Sequence, residues 1–340
     1  MVTVSFIDRD ETYSLEELSH LPFFHEYDET SLYFVNQWND ENTTVEVQTS
    51  GSTGLPKKIL LTKESMRTSA QLTLDYFGLQ NNDTILQCLP SGFIAGKMIW
   101  VRAMVGQLKV IVAKPSSNPI KKLNCEVKFA AMTPHQVVTV LDESPDKLSL
   151  IEVLIIGGAP VSSELLERLQ VLSTKCFATY GMTETITHIA VKQLNFPEKS
   201  EFSQALPTIS FSLGKEDNLM IKAPHISNDW LETEDVVALN KDNQFKWLGR
   251  KDFVINSGGV KLYPEEIEGK IAHLIPVRFY ISKLMDETFG ELPQLVLEGI
   301  ESFDLSELSS VLSKIEMPKS VIYIPKFKET GSGKIERIKS

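Results

Sequence analysis

Short apolar segments alternate with segments of helical spacing, and this alternation limits the possible folds more than any other feature of the chain. Apolar runs of about six residues, bounded by turn residues, predict buried strands. Apolar residues recurring every three or four positions predict helices. The predicted strands span residues 84–89, 108–113 and 150–156, and the predicted helices span residues 66–77, 134–141 and 161–172. This alternation favours an α/β architecture with a largely parallel sheet.

Two further helices are predicted from their amino-terminal residues. Ser14 to Glu17 fits a capping box at the start of a short helix. Pro264 with acidic residues behind it is a favoured helix start. One more helix is expected near residues 304–315. The pattern changes at Gly249, and we place a domain boundary there: residues 1–248 form a large α/β domain, and residues 249–340 form a small α+β domain.

Charge and composition exclude several classes of protein. The 340 residues include 34 basic and 45 acidic side chains, a net charge of −11, which argues against a general nucleic-acid-binding protein. The most apolar stretch, residues 93–113, is interrupted by Lys97, Arg102 and Lys109, so no membrane span is expected.

The cysteines and the amino terminus predict a cytoplasmic location. Cys88, Cys125 and Cys176 are too widely spaced for a zinc site, and their odd number does not suggest a disulfide framework. The amino terminus has no basic region followed by an apolar run, so no signal peptide is expected.

A loop of hydroxyls and glycines spans residues 49–58, with the sequence TSGSTGLPKK. Its glycines allow close approach of the backbone to a ligand, and its hydroxyls and lysine supply donors and charge for a polyphosphate. It is not a Walker A sequence, because no Gly-Lys-Ser/Thr closes it.

Three further motifs follow this loop in order. They are YGMTET at residues 180–185, the run from GRKD at 249–252 through SGG at 257–259 to EEIE at 265–268, and GSGK at 331–334. Together with the loop they resemble the adenylate-forming enzymes, namely acyl-CoA synthetases, peptide-synthetase adenylation domains and luciferases. The resemblance implies a large AMP-binding domain and a mobile carboxyl-terminal lid. It also implies two steps: a carboxylic acid and ATP give an acyl-adenylate with Mg²⁺, and CoA then takes the acyl group.

The resemblance assigns roles to residues of this chain. The phosphate cradle would consist of Thr49, Ser50, Gly51, Ser52, Thr53, Gly54 and Lys57. The adenine and ribose site would consist of Gly158, Ala159, Pro160, Tyr180, Gly181, Thr183, Asp235 and Arg250. The lid would supply the hinge Asp252 and a pantetheine channel at Ser257, Gly258 and Gly259. Glu184 would hold Mg²⁺, and Lys334 would bridge the substrate carboxylate and the α-phosphate.

The chain departs from the family pattern in three places. Adenylate-forming enzymes usually carry far more sequence before the phosphate loop than residues 1–48, so we expect a large domain truncated at its amino-terminal side. A dimer could cover the apolar face that such a truncation exposes. Phe93 stands where the family commonly has histidine, and the loop ends in Lys57-Lys58 rather than Lys-Gly.

The compact form resembles the o-succinylbenzoate–CoA ligases of menaquinone synthesis, whose acid is an aromatic dicarboxylate. Such a pocket needs a cation for the second carboxylate. The segments expected near the acyl group contain Phe93, Lys97, Arg102 and His135. Lys97 and Arg102 could equally be surface helix residues with exposed charges.

Other functions stay open at this point. The acid could be another aryl or aliphatic acid, and the acceptor could be the pantetheine of a carrier protein. Luciferase-like oxidation has no positive support. A non-catalytic nucleotide-binding relative is a fourth interpretation, and the retained Glu184, Asp235, Arg250 and Lys334 count against it.

Overall fold

The computed structural model describes residues 2–48, 58–329 and 335–337. Its α-helices are α1 (His25–Asn39), α2 (Lys63–Phe77), α3 (Ile94–Gly106), α4 (Pro134–Glu143), α5 (Ser163–Leu169) and α6 (Pro264–Ile271). The first ten strands are β1 (Thr3–Phe6), β2 (Thr12–Ser14), β3 (Thr44–Gln48), β4 (Lys58–Thr62), β5 (Thr84–Gln87), β6 (Lys109–Val112), β7 (Val127–Met132), β8 (Ile151–Ile156), β9 (Lys175–Gly181) and β10 (His188–Gln193). The others are β11 (Ser203–Ala205), β12 (Ser210–Leu213), β13 (Asn218–Lys222), β14 (Leu231–Leu239), β15 (Gln244–Arg250), β16 (Ile255–Ser257), β17 (Val260–Leu262), β18 (Phe279–Asp286), β19 (Gly290–Glu298) and β20 (Val321–Ile324).

A 13-stranded sheet organises the larger part of the described chain, in the order β12-β13-β14-β15-β11-β10-β9-β8-β7-β5-β6-β1-β2. The run from β9 to β1 is parallel. Beyond β9 every pairing is antiparallel. The α/β class is confirmed, but the expected parallel arrangement holds for one half only. No α-helix separates the strands from β10 to β15, and short connections impose antiparallel pairing.

The predicted strands and helices of the parallel half form for the reasons that the sequence indicated. Gly78 ends α2 in the left-handed conformation, with φ of 66°. Thr133 and Gln136 close a capping box around Pro134 at the start of α4. Burial of both sheet faces explains the continuous apolar runs, because β8 carries four consecutive buried residues from Val153 to Ile156.

A second sheet follows the first, with the order β17-β16-β19-β18 and β20 parallel to β19. It has its own apolar cluster, formed by residues such as Ile255, Ile267 and Leu295. The chain leaves the large sheet at Arg250 and enters the small one at Ile255, with a 3₁₀ turn at Lys251–Phe253 between them. The predicted boundary at Gly249 therefore falls within the last strand of the large sheet, one residue before its end. That the smaller unit moves as a lid stays a prediction.

Three predicted helices are shorter than expected or form only a 3₁₀ turn. The segment 304–315 forms only a 3₁₀ helix at Leu305–Ser310, because serine hydroxyls bond locally and compete with a continuous helix; Ser309 donates to the Ser306 carbonyl at 2.6 Å. The segment 161–172 narrows to α5, whose start is capped by Ser162. Near residue 14 the capping contacts form, but they precede a 3₁₀ turn at Glu17–His20.

Among the residues that the structure describes, no helix is both long and apolar enough to cross a membrane.

Candidate active site

The predicted phosphate cradle, Thr49 to Lys57, lies outside the described residues. The described residues on either side of it are paired, because β3 and β4 run antiparallel with Gln48 opposite Lys58. The Lys58 ammonium lies 2.8 Å from the Glu46 carboxylate on the exposed face of this hairpin. Lys58, the second lysine of the motif, therefore forms an ion pair with Glu46 on the neighbouring strand.

The Gly157–Pro160 turn follows the carboxyl end of β8, where parallel sheets bind ligands. A side chain at Gly157 would come within 2.3 Å of the Thr179 hydroxyl oxygen on β9, so only glycine fits without movement. Gly158 has φ of +87°, which favours glycine as well. The turn thus presents bare backbone beside the end of β9.

Tyr180 and Asp235 meet across the sheet, which the sequence could not show. The Tyr180 hydroxyl donates to Asp235 Oδ2 at 2.5 Å, and its ring packs edge-on against Phe245. Burial, followed by the charge of Asp235, raises the pKa of Tyr180, so the phenol stays a donor. The two residues assigned to adenine and ribose therefore form one hydrogen-bonded unit.

Two further side chains complete this unit. The Trp247 indole N–H donates to Asp235 Oδ1 at 3.1 Å, and Arg250 NH1 lies 3.9 Å from the same oxygen. Asp235 and Arg250 are direct partners in the β14–β15 register. Trp247 was not predicted, and no signal beyond its position two residues before the Gly-Arg motif could have indicated it.

Glu184 is exposed, in the 3₁₀ turn Thr183–Thr185 that follows β9. The Thr185 hydroxyl holds this turn by donating to the Thr187 carbonyl at 2.9 Å. A side chain at Gly181 would lie 2.4 Å from that carbonyl, so glycine permits the close return of the chain. The Glu184 side chain is therefore exposed just beyond the end of β9.

The donor set fits Mg²⁺ bound together with phosphates. No cluster of three or more His, Cys, Asp or Glu that could enclose a metal occurs among the described residues. Mg²⁺ usually takes one or two protein carboxylates, with phosphate oxygens and water completing the octahedron. One exposed carboxylate at Glu184 matches that requirement and not that of a closed structural metal site.

Arg102 is the most unusual side chain near this edge. It is 2% exposed, and its NH2 donates to the Thr187 hydroxyl at 3.0 Å. Its Nε has no hydrogen-bond partner, and no ion pair to it forms within the described part of the chain. Burial lowers the pKa of Arg102 to about 9. The prediction that it could be a surface residue with an exposed charge is wrong, because α3 is enclosed there.

His188 lies beside Arg102 and was not predicted. Its ring nitrogens lie 3.3 Å from the hydroxyls of Thr73 and Thr187. Burial, and then the Arg102 charge, lowers the pKa of His188 well below its ordinary value. The ring is therefore neutral, and Arg102 carries the positive charge of this cluster.

The other acyl-pocket candidates lie in different surroundings. The buried Lys97 ammonium donates to the Ser91 carbonyl at 2.7 Å, in a separate polar network. Five residues along a helix rotate a side chain by about 140°, so Lys97 and Arg102 leave α3 in different directions. Phe93 is 63% exposed, and His135 is exposed on α4. The structure does not bring these three together with Arg102.

The hinge candidate Asp252 lies in the 3₁₀ turn between the sheets, 3.8 Å from Arg250. The Arg250 N–H donates to Glu265 Oε1 at 3.4 Å, and a side chain at Gly249 would lie 2.4 Å from Glu265 Oε2. Burial raises the pKa of Glu265, against the opposing effect of Arg337. Glu265 therefore joins α6 to the end of the large sheet.

The predicted pantetheine channel coincides with a tight hairpin. Gly258 and Gly259, with φ of 55° and 85°, form the two-residue turn between β16 and β17, and Ser257 before them is buried. The Phe289 ring would be 3.4 Å from a side chain at Gly258. The glycines are exposed at the tip and leave room for a thin ligand.

Lys334 lies outside the described residues, and Arg337 close behind it is anchored. Arg337 makes paired hydrogen bonds to Glu268 at 2.7 and 2.8 Å and lies over the Phe253 ring at 4.7 Å. Burial raises the pKa of Glu268 to about 7, although Arg337 opposes this shift. The chain after Lys334 is thus tied to the turn that joins the two sheets.

Comparison with known proteins identifies the fold. The model of the AMP-binding enzyme family matches residues 4–215. The chain is 25% identical to the 2-succinylbenzoate–CoA ligase of Listeria monocytogenes, over 89% of this chain and 70% of that protein.

Two solved structures support the same conclusion. An acyl-CoA synthetase (AMP-forming)/AMP-acid ligase II-like protein from Dyadobacter fermentans is 32% identical, with a TM-score of 0.65 over 93% of each chain. The o-succinylbenzoate coenzyme A synthetase of Bacillus subtilis, solved with ATP and magnesium ion, has a TM-score of 0.73 at 22% identity, over 85% of this chain and 68% of that one. Because the family model covers more than half of the chain and the Dyadobacter protein aligns along nearly all of it, this protein belongs to the AMP-binding enzyme family.

Proposed function

We propose that the protein condenses 2-succinylbenzoate with ATP to form an acyl-adenylate and pyrophosphate, and then transfers the acyl group to CoA with release of AMP. The named activity of the relatives supports this acid, and so does one feature of the chain itself. That feature is the buried guanidinium of Arg102.

Arg102 supports a substrate with a second carboxylate. A buried charge is costly unless it is paired, and Arg102 has no carboxylate partner in the described part of the protein. A guanidinium matches a carboxylate in two parallel hydrogen bonds. Among the described residues nothing accepts from the Nε of Arg102, so this N–H is available as a donor for such a contact. A carboxylate on the ligand would therefore supply the negatively charged partner that Arg102 lacks among the described residues.

The position of Arg102 connects it to the nucleotide site. Its partner Thr187 lies two residues after the turn that carries Glu184, and the Thr187 carbonyl packs close to Gly181. Tyr180 precedes Gly181 and bonds Asp235. A short path of contacts thus runs from the proposed ribose site to Arg102. An acid between them could present one carboxylate to the α-phosphate and the other to Arg102.

Each residue has a defined task in the proposed reaction. Asp235 accepts from the ribose hydroxyls, and the Tyr180 ring flanks the adenine. The cradle at residues 49–57 would hold the β- and γ-phosphates, and Glu184 would hold Mg²⁺, which would supply positive charge beside these phosphates. Lys334 brings its ammonium to the substrate carboxylate and α-phosphate, where charge develops during the in-line displacement.

In the second step the CoA thiol attacks the acyl carbonyl and AMP leaves. We propose that the smaller unit rotates about Asp252 for this step and presents Gly258 and Gly259 to the pantetheine arm. The glycine turn leaves space that a larger side chain would fill. We place this reaction in the cytoplasm, where ATP and CoA are available. We also propose a homodimer, which sizing with light scattering would check.

The acid is tested with a matched pair of substrates. The pair is 2-succinylbenzoate and 4-oxo-4-phenylbutanoate, which lacks the ring carboxylate, each assayed with ATP, Mg²⁺ and CoA by AMP release. We expect the wild type to prefer the dicarboxylate in kcat/KM by on the order of 100-fold, as for a buried charge pair. Arg102→Met should remove this preference and retain the activity with the monocarboxylate.

Lys97→Met is the matched control, because it removes a buried cation of the same helix and should leave the preference intact. Arg102→Lys should restore part of it. A wild type that does not distinguish the two acids would refute the dicarboxylate assignment. Transfer to a loaded carrier protein but not to CoA would refute the proposed acceptor.

A further inference from the structure

We propose that Trp247 is a positioning residue for nucleotide recognition, which holds the Asp235 carboxylate in the orientation that accepts the ribose hydroxyls. The inference rests on the proposed function, since it takes Asp235 as the ribose acceptor. Trp247 itself is not expected to touch the reacting atoms.

The Asp235 carboxylate receives a donor on each oxygen. Tyr180 donates to Oδ2 at 2.5 Å, and the Trp247 indole donates to Oδ1 at 3.1 Å. Arg250, at 3.9 Å from Oδ1, is beyond hydrogen-bond distance and contributes charge only. Trp247 is therefore the side chain that fixes Oδ1 by a hydrogen bond.

Two donors are needed because the last torsion of an aspartate is soft. Rotation about the bond to the carboxylate has broad minima, so a single hydrogen bond leaves the plane of the group poorly defined. Donors on both oxygens define that plane. Each oxygen has two lone pairs, so one stays available on each for a ligand hydroxyl.

A β-bulge explains how Trp247 reaches Asp235. The β14–β15 register pairs Asp235 with Arg250 and Val236 with Gly249, but then pairs Val237 with Trp247 and skips Leu248. Bulges redirect side chains in this way next to functional sites. Regular pairing would put Leu248 opposite Val237, and leucine has no donor.

Packing alone does not account for a tryptophan at this position. Trp247 is 38% exposed and is not part of the apolar cluster of the large domain. An exposed apolar side chain is common and by itself needs no explanation. The indole N–H, however, bonds a carboxylate that is only 14% exposed. The polar end of the side chain is its specific contribution.

The test compares two ligands that differ only in the ribose hydroxyls. Calorimetry without acid or CoA measures the binding of ATP and of 2′,3′-dideoxy-ATP to the full chain. In Trp247→Phe, ATP should bind roughly 5- to 10-fold more weakly, since a hydrogen bond to a charged group is lost. The dideoxy ligand should bind within about twofold of wild type, because it makes no contact to Asp235. The KM for ATP should rise by the same factor as the dissociation constant for ATP, and kcat should be unchanged.

Two controls make each outcome decisive. Trp230→Phe changes an indole that is 42% exposed and whose ring lies 5.9 Å from the Lys222 ammonium, and it should leave the binding of both ligands unaffected. Asp235→Asn should lower the preference for ATP over the dideoxy ligand further than Trp247→Phe does.

Equal weakening of both ligands in Trp247→Phe would show a merely structural role and overturn the inference, as would no effect at all. If Asp235→Asn preserved the preference for ATP, the proposed ribose site itself would be refuted. If ribose selectivity depended on Trp247 but no acid supported AMP release, the proposed function would fail and the inference would stand.

Discussion

His188 illustrates how a single residue takes its chemistry from its surroundings. The ring lies in the interior beside Arg102, with hydroxyls of Thr73 and Thr187 as neighbours. A charge there would lose hydration and face a second cation, so the histidine is neutral in the folded protein. In the unfolded chain it would titrate near its ordinary value of about 6.5.

This difference predicts a loss of stability in mild acid. Below pH 6.5 the unfolded chain binds a proton at His188 that the folded protein does not bind, so the free energy of unfolding falls as pH falls. Replacing His188 by Gln removes that proton uptake, and the thermal midpoint should then decrease less between pH 7.5 and pH 5.5. His135→Gln, at an exposed site, is the control. Parallel slopes in wild type and His188→Gln would contradict the prediction.

Among the helices, α4 depends on a capping box that the structure shows complete. Thr133 accepts from the Gln136 N–H at 3.2 Å, and Gln136 accepts in return from the Thr133 N–H at 3.0 Å. The helix start lies next to the Gly157–Pro160 turn, since a side chain at Gly158 would contact Thr133 at 4.0 Å. The cap therefore supports one wall of the candidate site.

Removal of this cap should destabilise the protein measurably. Thr133→Ala is expected to cost about 1 kcal/mol of unfolding free energy, read from the urea midpoint. Thr139→Ala in the middle of the same helix is the control, because its hydroxyl donates to the His135 carbonyl and caps nothing. That variant should be neutral or slightly stabilising. Equal losses in both variants would show that the cap is not the cause.

In the smaller unit, α6 is held by the paired contact between Glu268 and Arg337. Both side chains are less than a fifth exposed, and Glu268 also accepts from the Ile281 N–H at 2.7 Å. Without Glu268, the buried Arg337 would keep only the more distant Glu265, at 4.0 Å, as a carboxylate neighbour. The position of α6 thus depends on Arg337, which lies 69 positions after Glu268 in the sequence.

We expect Glu268→Ala to cost about 3 kcal/mol of unfolding free energy, because the buried Arg337 guanidinium loses both of its hydrogen bonds to Glu268. A cycle of wild type, Glu268→Leu, Arg337→Met and the double variant should show that the double change costs less than the sum of these two single changes. Denaturant unfolding of the four proteins measures this coupling, and Glu287→Ala at an exposed turn is the control. Additive single effects would mean that the pair contributes no specific stability.

The described residues form two main sheets, joined by a short turn and a few contacts across it, and the β3–β4 hairpin forms a third, two-stranded sheet. Lys261 on β17 lies 2.8 Å from Asp217, and Lys251 lies 2.5 Å from Glu216. Exposed ion pairs of this kind contribute at most about 1 kcal/mol each. Such weak contacts are compatible with the proposed motion of the smaller unit.

Loss of one of these pairs should make the connecting turn more accessible. Asp217→Ala is expected to speed tryptic cleavage after Lys251 by up to roughly fivefold, the limit set by an exposed ion pair. Asp242→Ala, in the turn between β14 and β15, is the control. Mass spectrometry of the early fragments locates the cut. An unchanged rate at Lys251 would mean that this contact does not restrain the turn.

The sequence by itself determined the α/β class, the strands β5, β6 and β8, the helices α2, α4 and α5, and the motifs that carry the family resemblance; β1, β7, β9, α1 and α3 were not predicted. Local patterns suffice for the predicted elements, since apolar periodicity and end residues such as Gly78 and Thr133 act within a few positions. The phosphate loop and Lys334 rest on the sequence alone, because the structure does not describe them.

Tertiary structure decided the rest, because it depends on which residues meet across long separations. The contact of Tyr180 with Asp235 joins residues 55 positions apart, and the Arg102–Thr187 contact spans 85. Both require the sheet order, which no local pattern contains. Whether Arg102 is an exposed helix cation or a buried one also depended on what covers α3. The register shift that turns Trp247 toward Asp235 arises from strand pairing, and only the folded chain could reveal it.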